Sequence, residues 1–237
     1  MWNEKSKERF WRGYVRQTEN YEPRTIKALR GMFKKQKSEA LGELKHAVNR
    51  DHKLINTRKA KEDYAKTVTP ILTAVILNAA KAGANLVEPE NPHKQDIPPV
   101  ASSVALNWLR TRIGWAAELI SEETASFLAQ ELAAGFAAGE SMDEIAKRIT
   151  DTFDFFNEAR AQRIARTEIM SASNQGALQG YSESGVVEQV EFYAALDERT
   201  CDMCSDMHGE TFDIDDAPPL PDSTHPNCRC VYIPIVE

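Results

Sequence analysis

Apolar residues recur at helical spacing along most of the chain, and the pattern changes only near the C-terminus. A thin apolar stripe over 23–65 predicts one long helix, and Thr69-Pro70 predicts the start of another helix that ends at Gly83. Residues 186–196 and 229–235 are rich in β-branched side chains and predict strands. We therefore expect an α+β fold that is predominantly helical, with a small antiparallel sheet in its C-terminal domain.

Further helices are predicted at 101–120, 122–138, 142–149 and 157–182. Ser121 is expected to cap the second of these helices, and Gly139 and Gly185 are expected to end helices because glycine adopts positive φ at low cost. Ser141 and Glu144 have the spacing of a capping box, in which each side chain bonds to the other residue's amide.

Four prolines between residues 89 and 99 interrupt the helical pattern. They predict a proline-rich linker at 91–100 between a helical, basic N-terminal region, 1–90, and a C-terminal domain, 101–237. In the N-terminal region, Phe10, Trp11 and Tyr14 share one helical face. We expect this face to anchor the segment to the body of the chain; the alternative is an oligomer formed through the N-terminal helices.

Positive charge is concentrated at the N-terminal end of an otherwise acidic chain. Residues 1–66 carry 18 Lys and Arg against 9 Asp and Glu, whereas the whole chain has a net charge of −7. Such asymmetry predicts a basic arm that meets an anionic partner. The residues expected to contact DNA or an acidic partner are Lys34, Lys35, Lys37, Arg58, Lys59 and Lys61. The interleaved Glu39, Glu43 and Glu62 support a second interpretation, in which these cations form ion pairs on solvated helices.

No stretch approaches the roughly 20 uninterrupted apolar residues of a membrane span. The N-terminus begins with charged residues and contains no signal-peptide core. We therefore expect no membrane contact and folding in a reducing cytosol, where close-spaced cysteines bind metal more often than they form disulfides.

The four cysteines form two close-spaced pairs within 30 residues, with a histidine beside the second pair. The predicted metal ligands are Cys201, Cys204, His225, Cys228 and Cys230. Zinc takes four thiolate or imidazole ligands in a tetrahedron, so we expect one structural Zn²⁺ held by the first pair and at least two of the other three. The sequence leaves open which of those three is not a ligand, and His208 is a further candidate.

Two other interpretations of the cysteines are free or disulfide-bonded thiols and a catalytic metal. Zinc deaminases use H-x-E followed by P-C-x-x-C. The chain contains His208-Gly209-Glu210, but its second motif has a different spacing, and a deaminase would leave the first cysteine pair unexplained. A catalytic zinc also keeps one position open, whereas this chain has more protein ligands than zinc requires.

Several short motifs occur in order in the C-terminal half. They are 137–146, 163–168, Asn174 with Gly176 and Tyr181, 197–201 with Cys204, Gly209, and 225–230. With these motifs, the chain from Ser121 onward resembles the phage Mu F-like minor head protein family, a group of head-morphogenesis proteins of tailed bacteriophages. The cysteine-bearing motifs are the specific part of this resemblance, which covers about half of the chain.

The resemblance implies a structural minor head protein without enzymatic activity. Its implied partners are the phage portal or capsid protein and packaged DNA, bound without sequence specificity. Its implied location is the virion, in the head interior or at the portal vertex, with host cytoplasm as the place of assembly. The rival functions are a delivered effector enzyme, zinc-dependent or ADP-ribosyltransferase-like, and a nucleic-acid-binding zinc module. Acidic residues around the cysteines count against the last, because they repel phosphate.

Charged residues near the cysteines predict a structural polar network. Its expected members are Arg163, Arg166, Glu168, Asp197 and Arg199. Arg163 and Arg166 share a helical face, from which an arginine can bind a carboxylate through two hydrogen bonds. We expect the network to connect this helix to the zinc-bearing hairpin, with Asp197 and Arg199 as its partners.

Overall fold

The computed structural model describes residues 2–87 and 99–236 of the chain, and these residues are predominantly helical. In chain order the elements are α1 (Glu4–Glu19), α2 (Glu22–Leu44), α3 (Thr57–Val87), α4 (Pro99–Ala138), α5 (Met142–Ser184), β1 (Gln189–Tyr193), α6 (Asp202–Met207), β2 (Thr211–Asp213) and β3 (Val231–Ile235). The expected combination of long helices with a small antiparallel sheet is confirmed.

α1 is fixed at its start by a capping box and along its length by aromatic side chains. The Asn3 side chain accepts a hydrogen bond from the Ser6 amide, and the Ser6 hydroxyl accepts one from the Asn3 amide, both at 2.9 Å. The packing aromatic residues are Trp2, Phe10, Trp11 and Tyr14, and they contact a buried cluster of Met170, Tyr193, Val231 and Ile233. The prediction that this face anchors the segment to the chain's own body is confirmed.

The predicted single helix over 23–65 is wrong, because α2 and α3 are separate helices. Leu54 and Ile55, in the connecting segment, are buried in a core cluster. Their burial outweighs the helical propensity of the polar residues around them. Asn56 then caps α3, its side chain accepting a hydrogen bond from the Lys59 amide at 3.1 Å.

The predicted helix start at Thr69-Pro70 is also wrong, since α3 runs through Pro70 and past Gly83. Pro70 has no amide hydrogen to donate within the helix. The neighbouring Thr69 hydroxyl donates to the carbonyl of Ala65 at 2.6 Å, the back-bond to the previous turn that threonine forms within helices.

α3 is the one helix in the described residues that is long and apolar enough to cross a membrane by length and composition alone. Buried helices of soluble cores pass the same test. Tyr64, Leu72 and Ile76 of this helix are fully buried within the chain, as expected of a core helix.

The predicted interruptions within the two C-terminal helices are wrong, because α4 and α5 are each continuous. Ser121 is buried inside α4 and caps nothing, since the apolar face continues on both sides of it. The predicted ends are confirmed: Gly139 and Gly185 follow α4 and α5 with φ of 69° and 70°. The Ser141–Glu144 capping box that opens α5 is also confirmed.

The chain forms two compact units that each combine separate segments. Unit 1 comprises Met1–Pro23, Ile71–Leu109 and Arg163–Glu237, and unit 2 comprises Arg24–Pro70 and Arg110–Gln162. Each unit thus draws on both sides of the predicted linker. Most of that linker lies outside the described residues, while its last two residues begin α4, and the domain boundaries at 90 and 101 stay a prediction.

Unit 1 is built on close contact between α3 and α5. A Cβ atom added at Gly176 would lie 2.3 Å from the carbonyl oxygen of Ile76, and one at Gly180 would lie 2.2 Å from that of Ala80. Since real Cβ atoms do not approach so closely, glycine at both positions lets the two helix backbones touch. The next turn of α5 carries Tyr181, which packs into the core beneath the sheet.

The sheet of unit 1 has the order β2-β1-β3, with both pairings antiparallel. β1 is central, so the segment that follows it and the segment that precedes β3 meet at one end of the sheet, where Tyr193 pairs with Val231. β3 is an edge strand and tolerates Pro234, whose carbonyl accepts a hydrogen bond from the Trp2 indole at 2.8 Å.

Unit 2 has its own apolar core, formed by the end of α2, the start of α3 and parts of α4 and α5. Its buried members are Ala40, Leu44, Leu54, Ile55, Ala60, Leu128, Leu132, Ile145, Ile149 and Phe153. Arg160 closes one side of this unit, donating hydrogen bonds to the Thr124 hydroxyl and the Ile120 carbonyl, both at 2.9 Å.

Candidate metal centre

The sheet topology brings both cysteine pairs to one end of β1. Cys201 is the N-cap residue of α6 and Cys204 lies in its first turn, whereas Cys228 and Cys230 lie just before β3. A short helix follows the strand, and it directs Cys204 into the interior, where this side chain is buried.

The potential ligand atoms form two overlapping groups that share Cys204. One group contains Cys201, Cys204 and His225, and the other contains Cys204, Cys228 and Cys230. Within each group all ligand atoms lie within 4.8 Å of one another. The Cys204 Sγ lies 3.4 Å from His225 Nε2 and 3.7 Å from Cys228 Sγ.

These distances suit a shared metal and not a disulfide. Two sulfurs bound to one tetrahedral zinc at about 2.3 Å lie about 3.8 Å apart, whereas sulfurs in a disulfide lie about 2.05 Å apart. The Cys204–Cys228 separation of 3.7 Å matches the first value, and all four cysteines are free. Thiols and imidazole are soft and borderline donors of the kind that zinc prefers, so this cluster could hold such a metal ion.

The orientation of His225 leaves one ring nitrogen for a metal. Its Nδ1 lies 2.9 Å from the Pro226 carbonyl oxygen, which can only accept a hydrogen bond, so we assign the proton to Nδ1. The lone pair of Nε2 then faces the sulfur of Cys204. His208, the further candidate, is engaged elsewhere, since its Nδ1 accepts a hydrogen bond from the Ala194 amide at 3.1 Å.

Hydrogen bonds and burial distinguish the thiols from one another. The Cys230 thiol and amide both donate to Cys228, the amide at 3.4 Å, and lower the pKa of the Cys228 thiol to about 5. Burial and the negative charge of Cys228 raise the pKa of Cys204 to about 12, and the bond to Cys228 raises that of Cys230 further. Of these three thiols, Cys228 is the one that most readily forms the thiolate, which is the form that binds metal.

The predicted polar network is divided into two clusters in the structure. In the first, the Arg166 guanidinium donates two hydrogen bonds to the Glu22 carboxylate, at 2.9 and 3.0 Å, and a third to the Asn227 side chain. The Thr167 hydroxyl accepts a hydrogen bond from the Asn227 amide at 2.9 Å. Since Asn227 precedes Cys228, this cluster connects α5 to the loop of the second cysteine pair.

The second cluster is centred on Asp197. Its carboxylate accepts two hydrogen bonds from the Arg229 guanidinium and one from the Arg199 amide. The Arg229 guanidinium lies 5.5 Å from the ring centre of Trp11, and the Trp11 indole donates to the Arg229 carbonyl at 2.9 Å. Arg229 thus holds together α1, the loop after β1 that contains Asp197, and the segment of the second cysteine pair.

Of the other predicted members, Arg163 and Arg199 have exposed side chains, and Glu168 is buried in α5. The Arg166 guanidinium binds Glu22 and Asn227. The basic Arg229 takes the carboxylate of Asp197 instead.

Five of the six basic residues expected at a DNA or partner contact form ion pairs within unit 2. The pairs are Lys35–Asp63 (2.8 Å), Lys37–Asp154 (2.7 Å), Arg58–Glu62 (3.4 Å), Lys59–Glu39 (2.6 Å) and Lys61–Glu118. Lys34 is exposed. Such surface pairs add little stability, but they balance the positive charge locally, as the second interpretation of this region expects.

Sequence reasoning missed Glu22, Asn227 and Arg229. Glu22 is 144 residues from Arg166 and carries no local signal of its role. Asn227 has φ of 72°, a conformation that asparagine adopts more readily than most residues, so a tight turn before Cys228 was a readable signal. Arg229 was readable too, as the residue between two candidate ligands.

Part of the chain that includes this site is similar to a known protein family. Residues 127–233 match the family described as Phage Mu protein F like protein. The chain is also 22% identical to the uncharacterized protein YqbB of Bacillus subtilis (strain 168), over 97% of this chain and 78% of that protein. No solved structure is similar enough to count as a match. The segment of the chain that is similar to this family contains all five candidate ligands.

Proposed function

We propose that this protein is a structural minor head protein that acts at the portal or the inner capsid surface during phage head assembly. The proposal rests on the family of residues 127–233. The observation that carries the structural role is the ligand cluster, in which four candidate donors lie around Cys204 and all five belong to segments that meet at one end of the sheet.

We further propose that the metal is zinc and that it stabilises the fold. A structural zinc is closed by four protein ligands, whereas a catalytic zinc keeps a position for water. Here the protein supplies one donor more than four, and Cys204 and Cys228 are buried. Bound zinc would hold α6 to the segment before β3, and so to the sheet.

The zinc proposal is tested by metal analysis of the full chain after expression in medium containing zinc, iron and cobalt. We expect one zinc per chain. A strong chelator should remove this zinc and, at the same time, make the cysteine thiols accessible. A metal content well below one per chain, with four reactive thiols in the folded protein, would contradict a structural zinc.

The assembly proposal is tested by co-expressing the chain with the portal protein and, separately, with the major capsid protein of the same phage. We expect a stable complex with one of them that survives size-exclusion chromatography. The control is the His225→Ala variant, which should lose zinc while the helices of unit 2 keep their structure. Absence of a complex with both partners, using folded zinc-loaded protein, would refute the proposal.

Contact with packaged DNA is the least supported part of the proposed role. The N-terminal excess of basic residues favours it, but most of the expected contacts are already in ion pairs. For non-specific binding to phosphates, the logarithm of the binding constant falls linearly with the logarithm of the salt concentration. Measurement of duplex binding between 50 and 200 mM salt therefore decides the question, and a flat response would remove DNA from the list of partners.

Two observations favour a structural role over the ADP-ribosyltransferase-like alternative. The Arg166 guanidinium is occupied by Glu22 and Asn227, and Glu168, two residues further along the same helix, is buried. Such an arginine and glutamate are packed as structural groups and do not face a common open site. Assay of the pure protein with labelled NAD and a host extract tests this directly, and transfer of the label would overturn the structural assignment.

A further inference from the structure

An elongated groove lies along α1 in unit 1. Its deeper part is a cavity of about 410 Å³ lined by α1, α3 and α5, and a second cavity of about 230 Å³ continues it. Gln17, Ala79 and Ser173 line both cavities, so the two are parts of one groove. α1 has 16 residues and is therefore about 24 Å long, and residues that line the groove occur along it from Ser6 to Thr18.

The chemistry of the groove changes along its length. The end near Trp2 is aromatic and apolar, with Phe10, Tyr14 and Leu86 among its lining residues. The other end is polar, and there the Asn78 amide donates a hydrogen bond to the Tyr21 hydroxyl at 2.6 Å. An occupant that matches both ends must therefore have one apolar end and one polar end along its length.

Small residues on both walls leave the groove open. α3 contributes Ala79, Ala82 and Gly83, and α1 contributes Gly13. A Cβ atom added at Gly13 would meet no other atom within 4 Å, so this part of the wall faces open space. Close approach of two helices requires such small residues, because larger side chains would keep the backbones apart.

A cation lies at the groove without a partner of its own. Arg9 lines the apolar cavity and is exposed. Its neighbours on α1 are paired, Lys7 with Glu191 and Arg12 with Glu8, whereas no residue in the described part of the chain forms an ion pair with Arg9. An incoming carboxylate would therefore find an uncompensated guanidinium beside an apolar cavity.

We propose that this groove binds an amphipathic helix of a partner protein, which inserts a large apolar side chain near Trp2 and places a carboxylate on Arg9. The elongated shape favours a polypeptide over a compact small molecule, and the free arginine favours an acidic one. Helix-in-groove recognition of this kind uses one or two apolar anchors for affinity and a charged contact for orientation. The proposal depends neither on the metal centre nor on the place where the protein acts.

The test is selection of a helical peptide library with randomised surface positions on the immobilised, zinc-loaded full chain. We expect enriched peptides to carry Leu, Phe or Trp with Asp or Glu three or four positions away. The affinity of a selected peptide, labelled and measured by fluorescence anisotropy, should fall at least about tenfold with Gly13→Phe, which fills the groove. Gly31→Phe is the matched control, since Gly31 is also an exposed helical glycine with open space around its Cβ position.

A second variant keeps the test decisive even if Gly13→Phe disturbs α1. Arg9→Glu changes an exposed side chain and should change the selected peptides from acidic to basic. Lack of enrichment, equal binding by Gly13→Phe, or unchanged selection with Arg9→Glu would each overturn the proposal. Self-association of the chain that Gly13→Phe abolishes would overturn it as well, because the occupant would then be a second copy.

Discussion

Arg229 donates two hydrogen bonds to the carboxylate of Asp197, at 2.9 and 2.6 Å, from a position between two candidate metal ligands. The pair fixes the loop after β1 to the segment before β3. The same arginine contacts Trp11, whose indole donates a hydrogen bond to its carbonyl and lies beneath its guanidinium. The segments that carry the candidate ligands are therefore held together by a charged pair outside the cluster. Interactions of this kind orient ligands and often matter nearly as much as the ligands themselves.

This ion pair predicts a pH dependence of stability. Hydrogen bonds from Arg229 lower the pKa of Asp197 from its ordinary value of 3.8 to about 2. Because the pKa is lowered in the folded state, the stabilisation is fully present above about pH 4 and is lost as the pH falls towards 2. We expect Asp197→Asn to lower the free energy of unfolding by about 1–2 kcal/mol at pH 7. Urea denaturation at several pH values should show this difference shrinking below pH 4.

The control for that experiment is Glu198→Gln, which alters an exposed carboxylate on the next residue. It should leave stability within about 0.5 kcal/mol of the original at every pH. Since acid also releases metal from both proteins, only the difference between variant and original is interpreted. A difference that stays constant from pH 7 to pH 3 would contradict the role assigned to the ion pair.

Substitution of Gly180 by alanine should strongly destabilise the chain. The added Cβ would lie 2.2 Å from the Ala80 carbonyl oxygen, so α3 and α5 would have to move apart. We expect a loss of about 2–4 kcal/mol, as for other overpacked cores, measured by thermal or urea unfolding. Gly31→Ala is the matched control: its Cβ meets nothing within 4 Å, and alanine there should add up to about 1 kcal/mol. Equal effects of the two substitutions would refute the close helix contact.

The sequence predicted correctly those structural features that depend on residues close together in the chain, such as helix ends and helix caps. Gly139 and Gly185 end helices because the positive φ they adopt costs glycine little, and Ser141 and Glu144 form their capping box within one turn. The clustered cysteines predicted a group of side chains that could hold a metal ion, because ligand type and spacing are readable from residues close in the chain.

Long-range packing decided the features that the sequence did not reveal. Thr69-Pro70 has the local chemistry of a helix start, yet burial of Leu72 and Ile76 keeps α3 continuous through it. Arg166 was recognised as structural, but its carboxylate partner is Glu22, which lies far away in the chain and outside any motif. Which carboxylate pairs with an arginine depends on the tertiary structure. Helix propensity and motif spacing, by contrast, describe only residues that are close in the sequence.

Arg166→Ala should destabilise unit 1 while leaving metal binding intact. The guanidinium binds Glu22 through two hydrogen bonds and Asn227 through a third, but it contacts no candidate ligand. We expect a loss of about 1–3 kcal/mol, because the partly buried Glu22 would remain without its cation. Zinc per chain should be unchanged by metal analysis. Arg163→Ala, an exposed position on the same helix, serves as control and should change stability by no more than about 0.5 kcal/mol.

The ligand set itself can be resolved by three substitutions. Cys204 belongs to both ligand groups, so Cys204→Ser should abolish zinc binding. The Nε2 of His225 faces Cys204, and His225→Ala should therefore also lower zinc well below one per chain. The Cys230 amide donates to the Cys228 sulfur without needing the Cys230 thiol, and Cys230 is not in the ligand group that contains Cys201 and His225, so we expect Cys230→Ser to retain one zinc.

Zinc competition with a coloured chelator measures all three variants under the same conditions, and cobalt substitution adds a check on ligand type. Cobalt bound by three thiolates and one imidazole absorbs differently from cobalt bound by four thiolates, so the spectrum of the Cys230→Ser protein should equal that of the original. If Cys230→Ser loses the metal while His225→Ala keeps it, the four cysteines are the ligands. His225 would then be a neighbour of the site, held by its hydrogen bond to the Pro226 carbonyl.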